Sequence, residues 1–198
     1  DYAGWKEFML TNEIKSGEVY QDINRSEGKW YSVCYPFNLN QKQIENAFGA
    51  STLVCEFSAA NLVQYAGQEY LSLDFSTPVK NMKAHHPYMV HPGKQGTDVN
   101  IIEGVVVDKD DANDNYQAKL KAEAVTKTDS KNRSYTFIGN HTAGVYAPKF
   151  SYYYYSGDDT RWSNAFYKAM RNDVVFTPHT AVVEQATDNG IGGSAKTY

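Results

Sequence analysis

Between Glu18 and Glu184 no apolar pattern runs beyond about ten residues before a turn signal interrupts it, and this restricts the chain to folds made of short elements. The clearest segment is Trp30–Phe37, where Tyr31, Val33, Tyr35 and Phe37 alternate with Trp30, Ser32 and Cys34. A period of two sends the two sets to opposite faces of a strand. Pro36 has no N–H to give to a ladder, so it marks the end of this strand or an edge. Further strand patterns lie at Glu18–Ile23, Thr52–Phe57, Leu62–Tyr65, Tyr70–Phe75, Tyr88–His91 and Val99–Val107. Others follow at Ser134–Ile138, Phe150–Tyr155, Trp162–Lys168, Val174–Phe176 and Thr180–Glu184. Gly67, Pro92-Gly93 and Ser156-Gly157-Asp158-Asp159 break the runs as turns do. About a dozen short strands of this kind predict an all-β, predominantly antiparallel β-sandwich.

The residue balance points the same way. The chain holds 16 Tyr, 9 Phe, 16 Val and 13 Thr against 7 Leu. Aromatic and β-branched side chains suit a pleated, half-buried surface, whereas helical chains lean on Leu. One helix is expected, at Gln41–Phe48. Asn40 caps it, Gln43 completes a capping box, Ile44, Ala47 and Phe48 share a face, and Gly49 ends it. Two turns are too few to stand alone, so packing must hold it. Tyr116–Val125 alternates too, although its Ala, Lys, Leu and Glu are good helix formers. A helix there would lack a wide apolar stripe, so a strand is expected.

A chain of 198 residues predicts one domain, residues 1–184, with a break near 108–115 if it is built as two packed halves. Gln185–Tyr198, with Gly190, Gly192, Gly193 and Ser194, reads as a flexible tail or linker. At this size about 70% of the unfolded surface can be buried, so disulfide staples are not required. A net charge of −4 lacks the cationic field that nucleic-acid binding needs. No apolar run approaches the roughly 18 residues of a membrane-spanning helix.

Chemical motifs are few. Cys34 and Cys55 stand outside any C-x-x-C pair and read as small hydrophobes in core strands, a single disulfide being the alternative. His85, His86 and His91 lack a carboxylate or thiol at ligand spacing and read as exposed loop side chains; His141 and His179 are isolated. Asp108, Asp110 and Asp111 are the weak metal candidates. A calcium loop starting at Asp111 would meet Tyr116 where the sharp turn needs Gly, and Ala122 where a bidentate Glu belongs, so a solvated loop is expected. No nucleophile elbow or phosphate-binding loop occurs, and a glycosidase's carboxylate pair leaves no spacing signature. No catalytic residue and no cofactor is assigned.

Aromatic clustering is the unusual feature. Tyr152–Tyr155 put rings on both faces of one strand, and Trp162, Phe166 and Tyr167 follow across the proposed turn. Cross-strand pairing accounts for one face. The surplus predicts a binding platform at Tyr153, Tyr155, Trp162 and Tyr167, suited to stacking on sugars or a partner protein. Trp30, Cys34 and Phe37 are expected in the core.

Four segments carry a resemblance. Arg25 followed by Gly28-Lys29-Trp30-Tyr31-Ser32-Val33-Cys34-Tyr35-Pro36-Phe37 resembles the opening of a β-rich extracellular module found in Bacteroides- and Prevotella-type surface proteins. Ala84-His85-His86-Pro87-Tyr88-Met89-Val90, Tyr135–Gly139 and Tyr153–Gly157 are similar to its later motifs, in the same order. His85 replaces a usual Gly, and Pro178-His179-Thr180-Ala181-Val182 lacks the Arg of the closing motif. The resemblance implies export to the cell surface or beyond and a larger modular chain, and it carries over no catalytic residues. The expected function is therefore a non-catalytic surface module for adhesion or nutrient capture, with a glycan or surface protein as partner. A polysaccharide-processing enzyme and a fimbrial subunit are the alternatives.

Overall fold

The computed structural model describes residues 17–21, 29–93, 100–105, 123–141, 144–146, 152–156, 165–168, 174–176, 179–185 and 195–196. In chain order the elements are β1 (Gly17–Gln21), β2 (Tyr31–Cys34), α1 (Gln41–Phe48), β3 (Leu53–Glu56), β4 (Ala59–Tyr65) and β5 (Gln68–Asp74). They continue with β6 (Thr77–Pro78), β7 (Pro87–His91), β8 (Asn100–Val105), β9 (Ala124–Thr128), β10 (Ser134–Asn140) and β11 (Gly144–Tyr146). The last are β12 (Tyr152–Ser156), β13 (Ala165–Lys168), β14 (Val174–Phe176), β15 (Thr180–Gln185) and β16 (Ala195–Lys196). The fold is all-β with one short helix among the described residues, and its strand pairs are antiparallel.

Two larger sheets dominate, one ordered β2-β7-β3-β6 and the other β16-β13-β12-β15-β10-β9. The pairs β1-β8, β4-β5 and β11-β14 complete the pairing. The period-two pattern of β2 explains how the four-stranded sheet buries both faces. Val33 joins Tyr88 and Val90 of β7 and Val54 of β3 in a first apolar cluster, with Tyr31 packed against it. Met89, of opposite parity, enters a second cluster. Helix α1 covers the first face through buried Ile44, Ala47 and Phe48. Its capping box is complete: Asn40 Oδ1 accepts from the Gln43 N–H at 2.9 Å, and Gln43 Oε1 accepts from the Asn40 N–H at 2.9 Å. Gly49, at φ +101°, donates its N–H to the Glu45 carbonyl at 2.8 Å and ends the helix.

The second cluster gathers Phe57, Leu73 and Met89 from one part of the chain with Phe137, Tyr153, Phe166 and Val183 from the other. Residues on both sides of 108–115 thus share one core. The β4-β5 hairpin helps to close it, with β4 beside β9 and β5 beside β16. Its two-residue turn has Ala66 at φ +50° and Gly67 at φ +75°, the left-handed pair that a tight hairpin requires. Trp30 is partly buried against this cluster and against the His91 ring at 5.2 Å, while Cys34 and Phe37 are fully buried.

Some elements differ from the sequence reading. Thr77–Pro78 and Gly144–Tyr146 are strands too short to leave a pattern, and β6 lies at a sheet edge, where Pro78 lacks no ladder partner. In the expected tail, Ala195–Lys196 pairs with β13 through Ala165 and Phe166. A Gly-rich sequence lowers local propensity, but two residues can still be recruited by the hydrogen-bonding edge of an existing sheet. Most of Tyr116–Val125 lies outside the described residues; β9 begins at Ala124. No helix among the described residues is long and apolar enough to cross a membrane.

A polar network pins the β9-β10 turn. The buried Asp129 carboxylate accepts from Arg133 Nε at 2.7 Å, Tyr135 Oη at 3.1 Å and the backbone N–H groups of Lys131 at 2.8 Å and Arg133 at 3.1 Å. Burial works to raise its pKa, but these donors outweigh it and hold the carboxyl below the usual range. Lys131 reaches from this turn to Glu69 of β5 at 2.6 Å. Removing one partner of a buried ion pair leaves the other charge uncompensated, at a cost of about 3–5 kcal/mol, whereas losing a helix cap costs about 1 kcal/mol. In urea unfolding, Asp129→Ala should therefore lose several times more stability than Asn40→Ala.

Candidate functional site

Where the two larger sheets meet, β2 turns Ser32 and Cys34 away from the helix, toward the start of β15. Ser32 Oγ accepts from the Ala181 N–H at 3.3 Å. The Cys34 N–H donates to the His179 carbonyl at 3.0 Å, and the His179 N–H donates to the Asn140 carbonyl at 2.7 Å. On the other side of Cys34, the His85 N–H donates to the Tyr35 carbonyl at 2.7 Å, and the His85 carbonyl accepts from the Glu123 N–H at 2.7 Å. His85 and His179 hold φ at +63° and +61°. Left-handed backbone is uncommon for residues other than Gly, and strain of this kind concentrates at functional sites.

These joints gather three histidines around a thiol. His141, only 3% exposed, stands with Nε2 3.1 Å from His85 Nδ1 and 3.8 Å from Cys34 Sγ. The His85 and His141 rings meet edge to face at 5.1 Å, and the His141 and His179 centroids are 5.9 Å apart. Both close contacts use one nitrogen, so the arrangement is a string centred on His141. Its buried Nδ1 has no hydrogen-bond partner among the described residues. Burial, reinforced by His85 and His179, lowers the His141 pKa to about 3. Burial likewise lowers His179 to about 4 against the opposing backbone contact at Cys34. The Cys34 thiol moves the other way, pushed far up by burial and by the negative charge of Glu123. At neutral pH His141, His179 and the Cys34 thiol are uncharged.

Beside the string, His86 bridges two carboxylates. Its Nδ1 lies 2.7 Å from Glu123 Oε2 and its Nε2 lies 3.7 Å from Glu56 Oε1, with the ring 4.8 Å from that of Tyr88. His85 and His86 are therefore partly buried fixtures, which corrects the expectation of exposed loop side chains. Pro87 begins β7 and limits His86 to extended backbone, and this turns the neighbouring His85 back into the seam. Nothing in the spacing of His85, His141 and His179 announced their convergence, because strand pairing between β10 and β15 brings the last two together. Among the described residues no group of three or more His, Cys, Asp or Glu is placed to hold a metal ion.

The aromatic candidates separate. Tyr153 is buried in the second cluster and its hydroxyl donates to Gln185 Oε1 at 3.0 Å, so it belongs to the core and not to a platform. Its parity on β12 aims it at Val183 and Phe137, where apolar burial outweighs exposure. Tyr155 pairs with Phe166 across β12-β13, and Tyr167 stands opposite Tyr154. Trp162, Asp108, Asp110 and Asp111 lie outside the described residues. An exposed ring that the sequence reading passed over is Tyr65, at the β4-β5 turn. It is 61% exposed and meets Tyr70 at 6.4 Å in an edge-on pair.

Comparison with family models, curated proteins and solved structures finds no significant match. The chemistry of the seam must be judged from its geometry. A cysteine nucleophile needs a thiolate beside a group that lowers its pKa; here burial raises it and the His141 imidazole beside it is neutral. Both cysteines are free and buried. Cys34 lies opposite Pro87 and Cys55 opposite Met89, so β7 runs between them. Two strand spacings, plus a two-residue offset along β7, put them more than about 9–10 Å apart, beyond the reach of a disulfide. At pH 8 the native protein should leave both thiols unreactive toward an aromatic disulfide reagent, and denaturation in guanidinium should release two per chain.

Proposed function

We propose that this chain is a non-catalytic binding module of an exported bacterial surface protein, taking a glycan or another protein on exposed aromatic rings. The observation that carries the reading is the Tyr65–Tyr70 pair at the tip of the β4-β5 hairpin. A ring held edge-on against its neighbour keeps a broad apolar face turned outward, and such faces stack on sugars and on partner side chains. The hairpin is anchored behind this tip by buried Ala60 and Leu73 and by the Glu69–Lys131 ion pair. The rings are thus presented on a rigid support, which reduces the ordering cost of binding. The resemblance of Gly28–Phe37, Ala84–Val90, Tyr135–Gly139 and Tyr153–Gly157 to surface modules supports the cellular setting. The neutral Cys34–His141 pair supports a structural seam over a nucleophile.

Screening immobilised host and plant glycans, followed by calorimetry on any binder, tests this reading. Tyr65→Ala should weaken binding about tenfold, the scale of one aromatic contact, while the melting temperature stays within a few degrees. Unchanged affinity in that variant removes the hairpin tip as the binding surface. Glycan hydrolysis by the wild-type chain would replace the module reading with a polysaccharide-processing enzyme.

A further inference from the structure

We propose that the His85–His141–Cys34 string is an acid-sensitive latch between the two larger sheets, closed while His141 is neutral and opened when His141 takes a proton. The placement carries the argument. Cys34 belongs to the four-stranded sheet, His141 directly follows β10 of the six-stranded sheet, and His85 leads into β7. A string of weakly polar groups therefore crosses the seam where Cys34 and His179 join through their backbones. Neither described hydrogen-bond partner of His141 is an anion, one being an imidazole and the other a thiol held neutral by burial, so an added proton meets no counter-ion from either. The nearby carboxylate of Glu123, from the start of β9, is committed to His86, and Glu56 of β3 also faces His86. His179 faces His141 from β15's approach, with Tyr35 beyond it at 6.3 Å, and Tyr88 lies behind His86.

A charge buried without a partner is costly, and the structure relieves it by moving the group to water. The left-handed backbones at His85 and His179 give the seam strain to release as it opens. The direction in pH follows from linkage. In the unfolded or opened chain an imidazole titrates near its ordinary value of about 6.5, whereas His141 and His179 are held down at about 3 and about 4 in the closed seam. The open form binds protons first, so the closed seam has its full stability above about pH 6.5 and loses it progressively as the pH falls.

Cys34 is the reporter. In a Cys55→Ser background it is the sole thiol, and a dipyridyl disulfide labels thiols in acid as well as at neutral pH. Relative to a free-thiol standard, labelling should be at least about tenfold faster near pH 4.5 than near pH 7, with the far-ultraviolet β-sheet spectrum retained. His141→Phe and His141→Gln should each reduce that acid acceleration at least about tenfold, leaving only the part that the depressed His179 contributes. Protection of Cys34 that persists near pH 4.5, an equal rise in both variants, or a loss of β-sheet signal coincident with labelling would overturn the latch. Should neither variant fold, imidazole NMR of the wild-type chain decides. His141 must gain its proton over the same pH range in which labelling rises, and a titration elsewhere overturns the proposal.

Discussion

The opposite parities of β7 tie the molecule together. Tyr88 and Val90 face helix α1 while Met89 faces the second cluster, so one strand supplies both cores. β7 also sits inside the four-stranded sheet, paired to β2 on one side and to β3 on the other. A register slip of one residue would exchange those faces, turning Met89 toward the helix and both Tyr88 and Val90 toward the second cluster. Pro87 at the start of the strand and Gly93 just beyond its end limit such a slip. A Cβ on Gly93 would stand 2.9 Å from the backbone of Ser51, and its N–H donates to the Phe48 carbonyl at 2.8 Å, so the strand end is locked onto the end of α1.

Burying both faces of a sheet forces its polar atoms to find partners inside the protein. On the helix side the problem hardly arises, because the cluster there is aromatic and aliphatic. On the other side Ser32 and Cys34 meet the ends of β10 and β15, and that junction collects the polar groups: the Ser32 hydroxyl on the Ala181 N–H, Cys34 on His141, and His141 on His85. The histidine string is thus a consequence of how the two sheets join. The neutral state of His141 and Cys34 follows from the same burial that stabilises the surrounding apolar clusters.

The tyrosine pair and the histidine string lie in different parts of the fold. The Tyr65–Tyr70 pair sits at the hairpin tip, where a two-residue turn leaves side chains in solvent. The string sits in the seam, where no ring but His85's and His179's approaches His141 among the described residues. Proteins commonly place contact residues on protruding turns and reserve strained, buried polar groups for junctions that move or hold.

Local chemistry determined what the sequence could show by itself. Asn40, Gln43 and Gly49 act within one helical turn of their own backbone, so the limits of α1 were legible from spacing alone. The alternation through Tyr31, Val33, Tyr35 and Phe37 was legible for the same reason, since the two faces of a strand follow from backbone geometry. Antiparallel β structure followed from many such local signals. What no local signal carries is which faces meet. The Tyr152–Tyr155 run looked like a surplus of surface rings until β15 and β10 placed Val183 and Phe137 against Tyr153. His85, His141 and His179 are far apart along the chain and share no motif. Only the pairing of β10 with β15, and the hydrogen bonds from β2 to both, brought them within reach of Cys34, because burial and the electrostatics it creates belong to the packed sheets and not to any one strand.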